Sequence, residues 1–483
     1  TTGGMNLYQS GTGLWKLTRD LEMENAGNKG VAFRGDGPAA GEFAGRIANV
    51  GGSTVNVAKY DSGTWILSGG NTYSGSTTSY GTGTLYITGS NTCSGSITAY
   101  GGLIAYTGSN TCSGTVNVFG GTVHIAGTNA FTADQNVNGR GMLVYSGANA
   151  QGAGHIYVGN SATSNGVMRL LPGADVTGTG RVRIGGGTGS AGALYVTGGR
   201  LARTPASDSD DTLSLGRGQG GYGHLNISGG EVSHIRLQVG GVSTTNAQGM
   251  GVVRMTGGLF SFHKWLLLGR NVGSAGILTL DGGELRHIVD SDKRNLALCY
   301  EGGRAEVNLT GGLIYSPGSQ LSVRQNHSSY PATGVVNICA GTLAVDSITN
   351  RGANAYVNFA GGTLKACANE PRFLPSQLTG VYLYGPFGGF AGGAVIDTDG
   401  YNVTAVAPLQ APSGNGVYAV TLSDKGSGYL GEPIVTLSGD GISATAVANM
   451  EDDESGNGTY RVASVTITCP GTGYTEVPGV SFS

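Results

Sequence analysis

Short apolar–polar alternations, four or five residues long and closed off by glycine, recur along the chain. Thr84-Leu85-Tyr86-Ile87, Leu103-Ile104-Ala105-Tyr106 and Thr122-Val123-His124-Ile125 are clear cases. A period of two over so short a run signals a strand, and the segments between runs are too short for a helical crossover. The surroundings of these runs also repeat. Ser68-Gly69-Gly70-Asn71-Thr72-Tyr73-Ser74-Gly75 returns as Thr88-Gly89-Ser90-Asn91-Thr92-Cys93-Ser94-Gly95 and as Thr107-Gly108-Ser109-Asn110-Thr111-Cys112-Ser113-Gly114. Degenerate copies follow at Asn129 and Asn149, so the asparagines at 71, 91, 110, 129 and 149 stand 19 to 20 residues apart. One coil of a parallel β-helix per copy satisfies both the strand pattern and the missing crossover. The predicted fold is all-β, a right-handed parallel β-helix (β-solenoid).

Beyond about residue 155 the pattern persists with a longer period. Leu194-Tyr195-Val196-Thr197-Gly198-Gly199 opens a series continued at Leu225, Val253, Leu278, Val307 and Val357, whose first glycines are 31, 28, 25, 29 and 50 residues apart. A weaker copy at Val336-Asn337-Ile338-Cys339-Ala340-Gly341 divides the last interval. Insertions of this kind belong in loops between strands, where they leave the stack intact. The tail differs: Gly426-Ser427-Gly428-Tyr429 and Pro433-Ile434-Val435-Thr436-Leu437 return 45 residues later as Gly471-Thr472-Gly473-Tyr474 and Pro478-Gly479-Val480-Ser481-Phe482. The expected organisation is an N-terminal cap with the first coils over 1–61, regular coils over 62–154, longer coils over 155–407 and a small duplicated β module over 408–483. Residues 393–400 are expected to close the solenoid and 408–412 to form the linker.

Stacking puts equivalent residues one above another at the strand spacing, so identical side chains form ladders. Asn71, Asn91, Asn110, Asn129 and Asn149 are expected to bond amide to amide along the axis, with the adjacent glycines supplying a positive φ at the corner. Two residues on, Tyr73, Cys93, Cys112 and Phe131 form an apolar, inward ladder. Cys93 and Cys112 on neighbouring rungs are expected as two packed thiols, because buried cysteine behaves as a small hydrophobe, with a disulfide, whose Cα spacing is in reach, as the alternative. The remaining cysteines, 299, 339, 367 and 469, are scattered.

The block Gly63-Thr64-Trp65-Ile66-Leu67-Ser68-Gly69-Gly70-Asn71-Thr72-Tyr73-Ser74-Gly75, followed by Gly83-Thr84-Leu85, resembles the autotransporter-associated β-strand repeat. Trp65 stands where that pattern has its first leucine, an exchange that keeps the alternation. The resemblance covers residues 63 to 130 well and implies a secreted, passenger-type β-helix of a bacterial surface.

Composition narrows the function. Glycine supplies 91 of 483 residues and no Gly-X-Y period is present, which fits many tight turns and excludes collagen. Charged residues make up 12%, with 27 Lys plus Arg against 30 Asp plus Glu, so nucleic acid is not an expected partner. No apolar run approaches a membrane span. The chain opens Thr1-Thr2-Gly3-Gly4 without an initiator methionine and is expected to be a processed product or part of a longer one.

Since some β-helices cleave polysaccharides, paired carboxylates are the feature to seek. The acidic clusters are Asp208, Asp210 and Asp211; Asp290 and Asp292; and Glu451, Asp452, Asp453 and Glu454. All read as solvated loops, and Ca2+ is the one cofactor they would suit. The histidines at 124, 155, 224, 234, 263, 287 and 327 lack zinc spacing, and Gly216-Arg217-Gly218-Gln219-Gly220-Gly221 mimics a phosphate loop without a following helix. Trp15, Trp65 and Trp265 are expected to pack at coil edges, with a carbohydrate face as the alternative. The expected function is a non-enzymatic, extracellular structural or adhesive element with no catalytic, cofactor or metal residues, whose partners are further copies of itself or surface glycans. A carbohydrate-binding or polysaccharide-degrading β-helix is the rival.

Overall fold

The computed structural model describes residues 3–21, 26–49, 51–150, 154–204, 213–241, 248–288, 295–325, 330–456 and 458–483. It falls into two compact units, Thr1–Arg183 with Leu194–Ser207, and Ile184–Ala193 with Asp208–Ser483.

In the first unit each repeat contributes three short strands, and each strand pairs in parallel with its equivalent one repeat away. One face runs through Thr77–Ser79, Ile97–Ala99, Val116–Val118 and Gln135–Val137. The next runs through Thr64–Leu67, Thr84–Ile87, Leu103–Tyr106 and Thr122–Ile125. The third contains Asn91–Cys93, Asn110–Cys112 and Asn129–Phe131. Alternation aims every second residue inward, and Leu85, Ile104, Val123 and Leu143 form one fully buried row. Trp65 is completely buried, its Nε1 donating to the Arg34 carbonyl at 2.8 Å and its ring meeting Trp15 edge-on at 5.4 Å. Two cations share this interior. Lys59 and Arg203 are both inaccessible to solvent and are held by backbone carbonyls, Lys59 by Tyr60 and Asp61, Arg203 by Gly180 and Gly154. Burial draws the Lys59 ammonium down to about 8, against the opposing pull of Asp61.

The second unit is built the same way with wider coils. Leu213–Leu215, Leu237–Val239, Leu266–Leu268 and Leu296–Leu298 stack in parallel as one face. Tyr222–His234, Met250–Phe262 and Ala275–His287 each run through a Gly-Gly pair into the following face. The second glycine of the pair supplies the corner, with φ +77° at Gly230, +74° at Gly258 and +77° at Gly283. Val395–Asp397 pairs with Thr363–Lys365, and the expected linker supplies a further rung, Leu409–Gln410 on Val381–Tyr382.

The tail folds into two antiparallel pairs, Val435–Ser438 with Gly479–Phe482 and Thr445–Asp452 with Tyr460–Cys469. It lies along the outward side of the coils instead of continuing the stack. Strands there are buried on both faces: Val335, Val336, Asn337 and Ile338 are all below 5% exposed because Val336 and Ile338 face the core while Val335 and Asn337 face the tail.

Candidate functional site

The asparagine ladder forms over four rungs. Asn71 Nδ2 donates to Asn91 Oδ1 at 2.7 Å, Asn91 Nδ2 to Asn110 Oδ1 at 2.6 Å, and Asn110 Nδ2 to Asn129 Oδ1 at 2.7 Å. The second proton of each amide reaches the carbonyl two residues earlier at Asn71, Asn91 and Asn110. Asn149 is in register with Asn129 but outside the chain of bonds. Asn129 Nδ2 turns to the Ala126 carbonyl, and the buried Asn149 Oδ1 has no hydrogen-bond partner among the described residues. The next rung carries Val176 at this position, so the row of amides ends there.

The inward ladder is as expected, with Tyr73, Cys93, Cys112 and Phe131 all at most 5% exposed. The packed thiols expected here are corrected to the alternative: Cys93 and Cys112 form a disulfide across a Cα spacing of 4.7 Å, which the stacking of neighbouring rungs brings within range. The role expected of the neighbouring glycines needs correction. Gly69, Gly89, Gly108 and Gly147 do not adopt positive φ, and of this row only Gly127 does. They are glycine because the rung beneath leaves no room: a Cβ on Gly89 would sit 2.1 Å from the Gly69 carbonyl oxygen, and one on Gly95 2.0 Å from that of Gly75. Backbone contact along the axis sets these positions.

A second ladder escaped the sequence reading. Tyr60, Tyr80, Tyr100 and Phe119 stack on the outside of the first unit, with ring centroids 5.0, 5.5 and 5.5 Å apart and planes within 19° of parallel. Arg34 extends the row, its guanidinium 4.0 Å from the Tyr60 ring and 5.9 Å from that of Tyr8. Tyr80 and Tyr100 are half exposed, yet what they show to solvent is ring edge and hydroxyl, because each face is covered by the next ring. A sugar stacks on a ring face, so the inner rings of this row are poor platforms for one. The signal was present in the sequence: the three rings after Tyr60 are 20, 20 and 19 residues apart and each precedes a glycine.

In the second unit the tail is held by a buried ionic knot. Arg254 Nε binds Asp281 at 2.7 Å, its Nη1 binds Glu432 at 3.1 Å and its Nη2 binds Asn449 Oδ1 at 3.0 Å. Burial pushes the Glu432 carboxyl up to about 7 against the pull of Arg254, while burial and then Arg254 hold His224 down at about 3. Asn308, Asn337 and Asn358 form a short amide row below it, and Asn337 also reaches Thr445 of the tail at 2.7 Å. An apolar cluster including Tyr356, Tyr384, Val462 and Cys469 completes the seam.

Beside this seam a groove of about 540 Å³ separates the coils from the tail. Its floor is formed by consecutive rungs, Ala275, Arg304 and Thr333 in one row and Glu306 and Val335 in the next. Arg304 donates to Glu306 Oε1 through Nε at 2.8 Å and to Thr436 Oγ1 at 2.8 Å.

The remaining chemical candidates are accounted for as follows. Asp208, Asp210, Asp211, Asp290, Asp292 and His327 lie outside the described residues. In the tail, Glu451 binds Lys425 at 2.9 Å and Arg461 at 2.8 Å, Glu454 binds Arg461, and Asp453 accepts hydrogen bonds from Ser455, Thr459 and Gly428, which hold its carboxyl well below the usual range. Those carboxylates are therefore engaged within the chain. Among the described residues no group of three or more His, Cys, Asp or Glu is placed to hold a metal ion. Residues 216–221 form the turn between Leu213–Leu215 and Tyr222–His234. No helix of the described residues is long and apolar enough to cross a membrane. Compared with known proteins, the chain matches no protein-family model, no curated protein and no solved structure.

Proposed function

We propose that this protein is a non-enzymatic structural or adhesive solenoid of the bacterial exterior. The observation that carries the reading is the use made of its functional groups. In the first unit the repeated amides bond to one another along the axis, the repeated rings cover one another's faces, and a disulfide ties two successive coils. Groups spent on axial contact resist separation of the coils, which suits a load-bearing element and leaves little to act on a substrate. Two further features support an extracellular setting: the Cys93–Cys112 disulfide, at home in oxidising compartments, and the resemblance of residues 63–130 to the autotransporter-associated repeat. Its partners on this reading are further copies of itself or surface glycans.

Purified protein imaged by negative stain, and incubated in parallel with acidic and neutral polysaccharides, tests the proposal. Fibres or ordered lateral assemblies with no loss of polymer length are expected. Shortening of any polysaccharide, abolished by a single carboxylate-to-amide substitution, would show an enzyme instead.

A further inference from the structure

The groove beside the tail has features that a structural seam does not need. Glu306 is 2% exposed, and Arg304 bonds only its Oε1; Oε2 carries no hydrogen bond among the described residues. A buried carboxylate with one oxygen unengaged is costly unless something donates to it. On the neighbouring rung Thr333 stands beside Arg304 and lines the same groove. Glu306 and Thr333 line one cavity whose size falls within the usual range for small-molecule sites, about 300–1,000 Å³.

We infer that this groove binds a neutral saccharide of about two sugar units. The charge selects the class. Arg304 and Glu306 lie two residues apart on one strand, so they project from the same side and cancel. An anionic sugar would face Glu306 and a cationic one Arg304, each without a net counter-charge. A vicinal diol matches both at once, donating to Glu306 Oε2 while a neighbouring hydroxyl accepts from the guanidinium. The Thr333 hydroxyl supplies a further polar contact, and Val272 and Leu437 give an apolar wall for the carbon face of a sugar ring. The site is separate from the aromatic ladder and does not rest on the structural role proposed above.

Saturation-transfer NMR on the full chain, with cellobiose, lactose and maltose as probes and digalacturonate as the charged comparator, tests it. Transfer to at least one neutral disaccharide at millimolar concentration is expected, with none to digalacturonate. Glu306→Gln keeps the shape of the side chain and should weaken binding by about tenfold. Thr333→Trp fills the groove beside Arg304 and should abolish transfer; an unchanged circular dichroism spectrum shows that this variant is folded. The inference is overturned if no neutral disaccharide gives transfer, if digalacturonate binds as well as they do, or if Thr333→Trp leaves the signal intact.

Discussion

Truncating one amide in the middle of the asparagine ladder should cost far more than truncating the amide at its end. In Asn110→Ala, Asn129 Oδ1 and the Gly108 carbonyl lose the donor they share, and Asn91 Nδ2 loses its acceptor on the neighbouring rung. Asn91 Nδ2 retains the Gly89 carbonyl at 2.8 Å, whereas Asn129 Oδ1, on a residue 4% exposed, has no other donor among the described residues. An orphaned buried group costs roughly 1–3 kcal/mol, so the loss should be about 2–4 kcal/mol. Asn149→Ala removes one bond, to the Gly147 carbonyl, and also an oxygen that was already unpaired, so its effect should stay below about 1 kcal/mol. Because coil stacks need not unfold in one step, local opening is the right observable, and hydrogen exchange of residues 84–131 reports it. A double-mutant cycle between Asn91→Ala and Asn110→Ala should show clear coupling. Equal effects at Asn110 and Asn149, or additive effects at Asn91 and Asn110, would refute the axial bonding.

Three further outcomes follow from the same structure. Docking of the tail should pass through a plateau between about pH 4.5 and 6.5. Docked, Glu432 keeps its proton up to about 7 while a released carboxyl loses it from its ordinary 4.5, so docking weakens as pH rises through that window; docked His224 stays neutral down to about 3 while a released imidazole charges below 6.5, so docking weakens as pH falls. With the histidine arm removed by His224→Gln, the Glu432 arm is on the order of 3 kcal/mol between pH 5 and 8, and tyrosine fluorescence during urea titration measures it; stability that climbs above pH 7 would contradict it. Removing the disulfide with Cys93→Ala and Cys112→Ala, 19 residues apart, should lower local stability by about 3 kcal/mol from loop entropy, again read by hydrogen exchange. Gly95→Ala should disrupt the stack, since its Cβ would meet the Gly75 carbonyl, while Gly13→Ala, with open space around it, should leave the melting temperature unchanged.

Coil period, strand positions and the amide row were legible because those copies are nearly identical, and identity at fixed spacing translates directly into stacking. The same spacing carries Tyr60, Tyr80, Tyr100 and Phe119, but an outward ring at a fixed period does not by itself distinguish a stacked row from separate exposed side chains. The glycines were correctly placed and wrongly explained: close approach of stacked carbonyls leaves no trace in sequence that separates it from a requirement for positive φ. The seat of the tail was largely hidden, since Arg254 and Glu432 are 178 residues apart and nothing local announces their meeting. One sign of it was available. Val335-Val336 and Tyr356-Val357 break the alternation with adjacent apolar residues, as a strand covered on both faces must.

The way the duplicated tail closes on itself has a consequence for how it can be inherited or trimmed. Val435 lies opposite Phe482 and Leu437 opposite Val480, so each strand's counterpart comes from the other half, an exchange related by an approximate dyad. Tyr429 likewise bridges to Tyr460, and Tyr474, its equivalent 45 residues on, bridges to Asn415. Neither half is a folding unit in its own right. A chain stopped between them would strand Val435–Ser438 with an unsatisfied edge, and evolution could gain or lose these halves only in couples.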